Sequence, residues 1–135
     1  GNKEGYYDMP GGKIEEGELP KQTAIREMKE ETGLVVKELN YKGNMIIEYP
    51  NRIFDFDVFV ATESEGKTQD FEENTSEWIE IQELLQKEKI LSNIIVLNRF
   101  FIKGLIGNTY NFKMHIDVDD QENILSVNYE LNKLE

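Results

Sequence analysis

Residues 20–32 hold four side chains whose spacing points to chemistry: Arg26, Glu27, Glu30 and Glu31. On a helical wheel of about 100° per residue, the three glutamates share an arc of about 100°. Ala24, Ile25, Met28 and Thr32 fill the adjoining arc, which is expected to face the core. The carboxylates are thus placed at the margin of the buried face. Glu27 and Glu31 stand at i,i+4, where like charges cost roughly 0.2–0.5 kcal/mol even in an exposed helix. Partial burial raises that cost. Two readings are open from the helix alone. One is a solvated acidic face tied by i,i+3 and i,i+4 ion pairs. The other is a site for a hard divalent cation, which takes oxygen ligands and turns the repulsion into attraction. Arg26 neighbours Glu30 on the wheel, and its guanidinium fork suits bidentate capture of a carboxylate.

The charge balance of the 135-residue chain bears on the choice. Acidic residues outnumber basic ones 27 to 15, a formal charge of −12. A basic surface gripping nucleic-acid backbone is excluded as the main binding device, so any polyanionic substrate has to be reached through a local neutraliser such as a divalent cation. The absence of cysteine removes disulfides, Cys-ligated zinc and thiol nucleophiles. Hydrophobic residues at 39% and aromatics at 10% suffice for a packed core. Apolar runs such as 94–97 fall far short of the roughly 18 residues needed to span a bilayer. No signal-peptide pattern opens the sequence. A soluble domain in a reducing, cytoplasmic setting is the expectation.

These side chains need elements to hold them. Pro20 suits a first helical turn and Gly33 the position past the last, which predicts a helix over 20–32. Gly11-Gly12 before it allows close backbone approach to a ligand or metal. Strands are expected at 39–49 and 53–61, joined by a turn at Pro50-Asn51. In the second, Phe54, Phe56, Val58 and Val60 alternate with a solvated face carrying Asp55 and Asp57. A long acidic loop over 63–75, a short strand at 78–81 and a helical turn around 83–86 follow. Ser92 is a candidate cap for a helix over 93–103 striped by Ile94, Ile95, Leu97, Asn98, Phe101 and Ile102. Two strands, 111–118 and 124–131, close the chain around the acidic turn 119–123. With no linker and no repeat, residues 1–135 read as one α+β domain with helices flanking a mixed sheet.

Gly12, Glu18, Arg26-Glu27, Met28, Glu30-Glu31, Gly33 and Leu34 together resemble the complete signature of the Nudix hydrolases, every fixed position filled without insertion across 12–34. At roughly 7% per position, seven fixed residues coincide by chance on the order of once in 10⁸ windows. The resemblance implies the family's α/β/α sandwich and hydrolysis of a diphosphate linkage in a nucleoside diphosphate joined to a group X. It implies Mg²⁺, or Mn²⁺ in its place, held by Glu27, Glu30 and Glu31, with the Gly12 carbonyl a further ligand candidate. By the same resemblance Glu18, Arg26 and Gly33 shape the box: Arg26 fixes a glutamate, and Glu18 bonds loop amides. For the base that deprotonates water, Glu27 and the loop residue Glu73 stand level, with Glu72 and Glu77 as rivals.

The end of the chain resembles MutT-type enzymes, which points to 8-oxo-dGTP or a related triphosphate in a housecleaning role. ADP-ribose, dinucleoside polyphosphates and capped or triphosphorylated RNA stay open as substrates, and so does a non-catalytic nucleotide-binding module. RNA ranks last, because no basic patch with interleaved aromatics is present. The partner expected is thus a small-molecule nucleotide, with no nucleic acid and no membrane; a homodimer is one possible assembly. Two features depart from the family. The stretch 89–93 lacks the carboxylate pair that reads the base in the mammalian-type enzymes. Only eleven residues precede the box, so the sheet's first strands are expected to be missing by truncation or supplied by a partner chain, which would otherwise leave an open edge. Elsewhere the bland reading wins: Asp55 and Asp57 as a solvated face, Asp119-Asp120 as a turn, His115 as structural, Trp78 as a core plug. Tyr6 and Tyr7 divide evenly between packing and substrate contact. Phe54, Phe56 and Phe59 are candidates to bracket a base, though strand packing accounts for two of them.

Overall fold

Pro20 begins an α-helix, α1, that runs to Thr32. Leu19 precedes it with extended backbone, and its N–H is taken by the Gln22 side chain at 2.8 Å, so one orphan donor of the first turn is satisfied. Gly33 ends the helix in the left-handed region (φ 85°), its N–H reaching the Lys29 carbonyl at 2.9 Å. The computed structural model describes residues 8–71, 75–84, 86–91, 94–97, 99 and 110–133. Within them α1 is followed by strand β1 (Val35–Tyr49), strand β2 (Arg52–Glu65), a short helix α2 (Ile81–Leu84), strand β3 (Tyr110–Val118) and strand β4 (Ile124–Lys133). The strands form one sheet in the order β2-β1-β3-β4. It is mixed: β1 and β3 run parallel, β3 and β4 antiparallel. The α+β class and the mixed sheet agree with the sequence reading.

The chain divides into two compact units, one of Gly1–Asp8, Lys42–Val58 and Ile79–Glu135, the other of Met9–Tyr41 and Phe59–Trp78. In the first, β1 and β3 bury alternate residues. Met45 pairs with Met114 and Ile47 with Ile116, all at or near zero exposure, while Ile46, Glu48, His115 and Asp117 take the opposite face. Gly43 lies opposite Phe112, where a Cβ would collide with the Phe112 carbonyl and ring. Ile90, Leu91, Ile94, Val96 and Leu97 add to this core, the last three from a helical stretch. Val96 joins the stripe expected there; Ser92, Asn98, Phe101 and Ile102 lie outside the described residues. The second unit holds α1, and its buried residues are Thr23, Thr32, Leu34, Val36 and Leu39. No described helix is long and apolar enough to cross a membrane.

Several local expectations need correction. The α1 arc predicted to face the core is only half-buried at Ala24, Ile25 and Met28; the buried positions are Thr23 and Thr32. Both hydroxyls are occupied by acceptors, which removes the penalty of burying them. The apolar face of β2 is also not uniformly buried, since Val58 is buried, Phe56 and Val60 are half-buried and Phe54 is 42% exposed. β2 is the edge of the described sheet. There Phe54 meets Tyr49 edge-to-face at 6.0 Å, and the Arg52 guanidinium lies over both rings at 5.1 and 5.2 Å. Phe59 pairs with Tyr41 at 5.6 Å in the same manner. Residues 78–80 form no strand, and Trp78, expected as a core plug, is 76% exposed. Asp119 behaves as a turn residue, accepting from the backbone N–H groups of Gln121 and Asn123 at 2.9 Å.

Candidate active site

The loop that leads into α1 is shaped by local bonds. Glu15 to Glu18 form a turn closed by the Glu18 N–H on the Glu15 carbonyl at 3.0 Å, with Gly17 at φ 78° supplying the left-handed residue such a turn requires. The Glu18 carboxylate then folds back: Oε1 accepts from the Glu15 N–H at 3.1 Å and from the Thr23 hydroxyl at 2.6 Å. One side chain thereby fastens both the loop and the first turn of the helix.

Arg26 completes the brace. Its Nε and Nη2 engage Glu18 Oε2 and Oε1 at 2.8 and 3.1 Å, the two-pronged geometry of a guanidinium–carboxylate fork. The Nη1 group donates to Glu27 Oε1 at 2.7 Å and Glu30 Oε2 at 3.1 Å, and Nη2 also reaches the Lys13 carbonyl at 3.1 Å. The bidentate partner is therefore Glu18, with the two helix glutamates sharing the remaining nitrogen. Glu18 is held down at about 2 from its ordinary 4.5, first by the Arg26 bond, then by Thr23 and the Glu15 amide. Reciprocally, Glu18 and Glu27 hold Arg26 still more firmly in its charged form.

Gly12 lies directly against the Glu27 carboxylate. A Cβ there would collide with it, 2.8 Å from Oε2 and nearer still to Cδ and Oε1. Glycine is thus what lets the loop backbone, with its carbonyl, share space with this carboxylate. Glu27 is largely buried at 16% side-chain exposure, while Glu30 is 58% exposed. Glu31 turns to the loop and accepts from the Gly11 N–H at 2.7 Å, and its own backbone carbonyl accepts from the Ser76 hydroxyl at 3.2 Å. Past the helix, Gly33 is overlaid by the Gln69 side chain, and the Gln69 N–H donates to the Thr32 carbonyl at 2.8 Å.

The structure brings Glu18, Arg26, Glu27 and Glu30 into one bonded group, packs Gly12 against it and ties Glu31 to the same loop. The three helix glutamates do not converge on a single point. Among the described residues the one trio of His, Asp or Glu donor atoms within 4.8 Å of one another is Glu48, His115 and Asp117, far from α1 in sequence. Glu72, Glu73, Tyr6 and Tyr7 lie outside the described residues, and Glu77 is exposed. The sequence reading missed Thr23, Lys13 and Gln69. A hydroxyl five residues after a carboxylate is the only signal Thr23 offered, and a backbone carbonyl or a non-local glutamine offers none.

Comparison with known proteins gives this loop–helix–loop its context. The NUDIX domain pattern matches residues 1–100. The chain is 30% identical over 105 residues to an 8-oxo-dGTP diphosphatase of Haemophilus influenzae, covering 78% of this chain and 74% of that enzyme. It is 31% identical over 74 residues to the 8-oxo-dGTP diphosphatase of Escherichia coli K12, covering 55% of this chain and 57% of that enzyme. The crystal structure of a MutT protein from Bacillus halodurans superposes with a TM-score of 0.77 at 25% identity, covering 95% of this chain and 83% of that one. With its box unbroken from Gly12 to Leu34 and folded into a braced loop and helix, this chain belongs to the Nudix hydrolase family as a MutT-like member.

Proposed function

We propose that the chain is a divalent-cation-dependent pyrophosphohydrolase of nucleoside triphosphates, with oxidised purine nucleotides such as 8-oxo-dGTP as the substrate class and cytoplasmic housecleaning as the role. One observation carries this reading: Arg26 binds Glu18, Glu27 and Glu30 at once, at 2.7–3.1 Å, and so holds the loop backbone at Gly12 against a helix rich in carboxylates. The names of the relatives support the substrate class.

The donor set suits Mg²⁺. All candidate ligands are oxygens, and the lack of a side chain at Gly12 lets the loop backbone lie directly against the Glu27 carboxylate. Glu27, Glu30 and the Gly12 carbonyl would hold the ion through Glu27 Oε2 and Glu30 Oε1, the oxygens Arg26 does not use, and Glu31 would have to leave the Gly11 N–H to join them. When bound, the cation offsets phosphate charge and acidifies water. The protein's own residues do the positioning. Glu18 stays ionised and keeps Arg26 in place, and Arg26 fixes Glu27 and Glu30 while its positive charge offsets their mutual repulsion. Either Glu27, which Arg26 positions, or Glu73, which lies outside the described residues, takes the proton from attacking water.

The test is turnover of a nucleotide panel with Mg²⁺: 8-oxo-dGTP, dGTP, ADP-ribose and a dinucleoside polyphosphate. Glu30→Gln and Glu31→Gln should each lower kcat about 100-fold or more with the fold retained. Wild-type rates in both variants reject the assignment, and nucleotide binding without hydrolysis by the native chain would make it a binding module instead. Comparing Glu27→Gln with Glu73→Gln identifies the base.

A further inference from the structure

Strands β1 and β3 carry a second group of ligand-type side chains, none of them part of the Nudix box. Their parallel register sets Ile46 beside His115 and Glu48 beside Asp117. Since His115 and Asp117 are two apart on one strand, all three polar side chains stand on the same face. His115 Nε2 lies 3.1 Å from Glu48 Oε1 and 3.6 Å from Asp117 Oδ1. The donor atoms of the three lie within 4.8 Å of one another. Behind them, Ser126 on β4 is the register partner of Asp117 and donates its hydroxyl to Asp117 Oδ2 at 2.5 Å, leaving Oδ1 turned toward His115.

We propose that Glu48, His115 and Asp117 form a second metal site, selective for a borderline transition-metal dication such as zinc and separate from the Nudix cation. Three properties of the trio support this. One imidazole and two carboxylates form the mixed N/O donor set preferred by zinc and its neighbours, whereas Mg²⁺ takes oxygen alone. Bonds of about 2.0–2.1 Å at tetrahedral angles place neighbouring donors about 3.3 Å apart, and the two His–carboxylate separations, 3.1 and 3.6 Å, bracket that value. All three side chains are 40–45% exposed, so the ion has an entry path and a fourth position for water. The Ser126 hydroxyl serves as the outer partner that orients a ligating carboxylate. The competing account is a hydrogen-bonded trio with no metal, the His115 ring meeting the two carboxylates directly.

Zinc titration of the full chain by calorimetry, in excess Mg²⁺ to saturate the helix, distinguishes the two. One zinc equivalent is expected in the native chain. His115→Ala and the milder His115→Gln should both lose it, and Ser126→Ala should weaken it by about tenfold or more. Cobalt(II) in place of zinc adds a readout independent of stability and of catalysis: visible d–d absorption that persists in Glu30→Gln and vanishes in His115→Gln. Equal zinc uptake by the native chain and His115→Gln overturns the proposal. Zinc binding that disappears in Glu30→Gln assigns the ion to the helix instead, and no uptake at all leaves the metal-free hydrogen-bonded trio as the explanation. Because the readout is binding, these results stand whether or not the hydrolase assignment does.

Discussion

Gly12→Ala should disable the site while sparing the fold, by an amount the geometry sets. The added methyl would sit 2.8 Å from Glu27 Oε2 and nearer to Cδ and Oε1, where ordinary contacts begin at 3.4 Å. The carboxylate must therefore retreat by about 1 Å, and Arg26 Nη1, bonded to Glu27 Oε1 at 2.7 Å, is drawn after it. A displacement of about 1 Å in a positioned group costs about 100-fold in rate. Stability should barely change, because Gly12 is exposed and its φ is not in the left-handed region, so alanine is tolerated by the backbone. Gly11→Ala is the control: a Cβ there meets nothing within 4 Å, and its N–H still reaches Glu31. Steady-state phosphate release with Mg²⁺, alongside thermal melts, provides the assay. A Gly12→Ala enzyme with native kcat, or a Gly11→Ala enzyme equally impaired, would refute the view that this contact positions Glu27.

Gly33→Ala should lower stability by roughly 1–2 kcal/mol, the cost of a left-handed alanine, because Gly33 holds φ 85° under the Gln69 side chain; a denaturant midpoint measures it. Gly43→Ala forces a methyl onto the Phe112 carbonyl between parallel strands and should cost about 1–3 kcal/mol, read as a drop in melting temperature with catalysis unchanged below it. Glu18 is depressed to about 2 in the folded chain from an ordinary 4.5. Its contribution is therefore present in full above 4.5 and is lost as pH falls toward 2. Glu18→Gln should remove that part of the acid slope, as seen by comparing the two pH–stability curves.

The helix that carries the box was legible because its signals are local. Pro20 and Gly33 mark its ends, and the structure runs it from Pro20 to Thr32. Helical periodicity then fixes which residues share a face, so Glu27 and Glu30 fall within reach of Arg26. The tail hairpin was legible for a like reason, since alternation from 111 to 118 matches the burial of Phe112, Met114, Ile116 and Val118. Alternation misled at β2. An edge strand has a partner on one side only, and its Phe54 stays exposed despite the pattern. Trp78 was misread because composition says that a tryptophan wants burial and nothing about whether the local chain provides it.

What sequence alone decided is the set of contacts whose partners lie within a few turns: the loop bend at Gly17, the helix and its cap, and the crowding of carboxylates that Arg26 offsets. Backbone hydrogen bonding at i to i−4 and the freedom of glycine dictate these without reference to the rest of the chain. Only tertiary structure decided that Glu48 stands beside His115, 67 positions later. Parallel pairing has no turn to set its register, so the match of β1 to β3 follows from burying Met45 with Met114 and Ile47 with Ile116, and the polar trio on the opposite face is placed as a consequence.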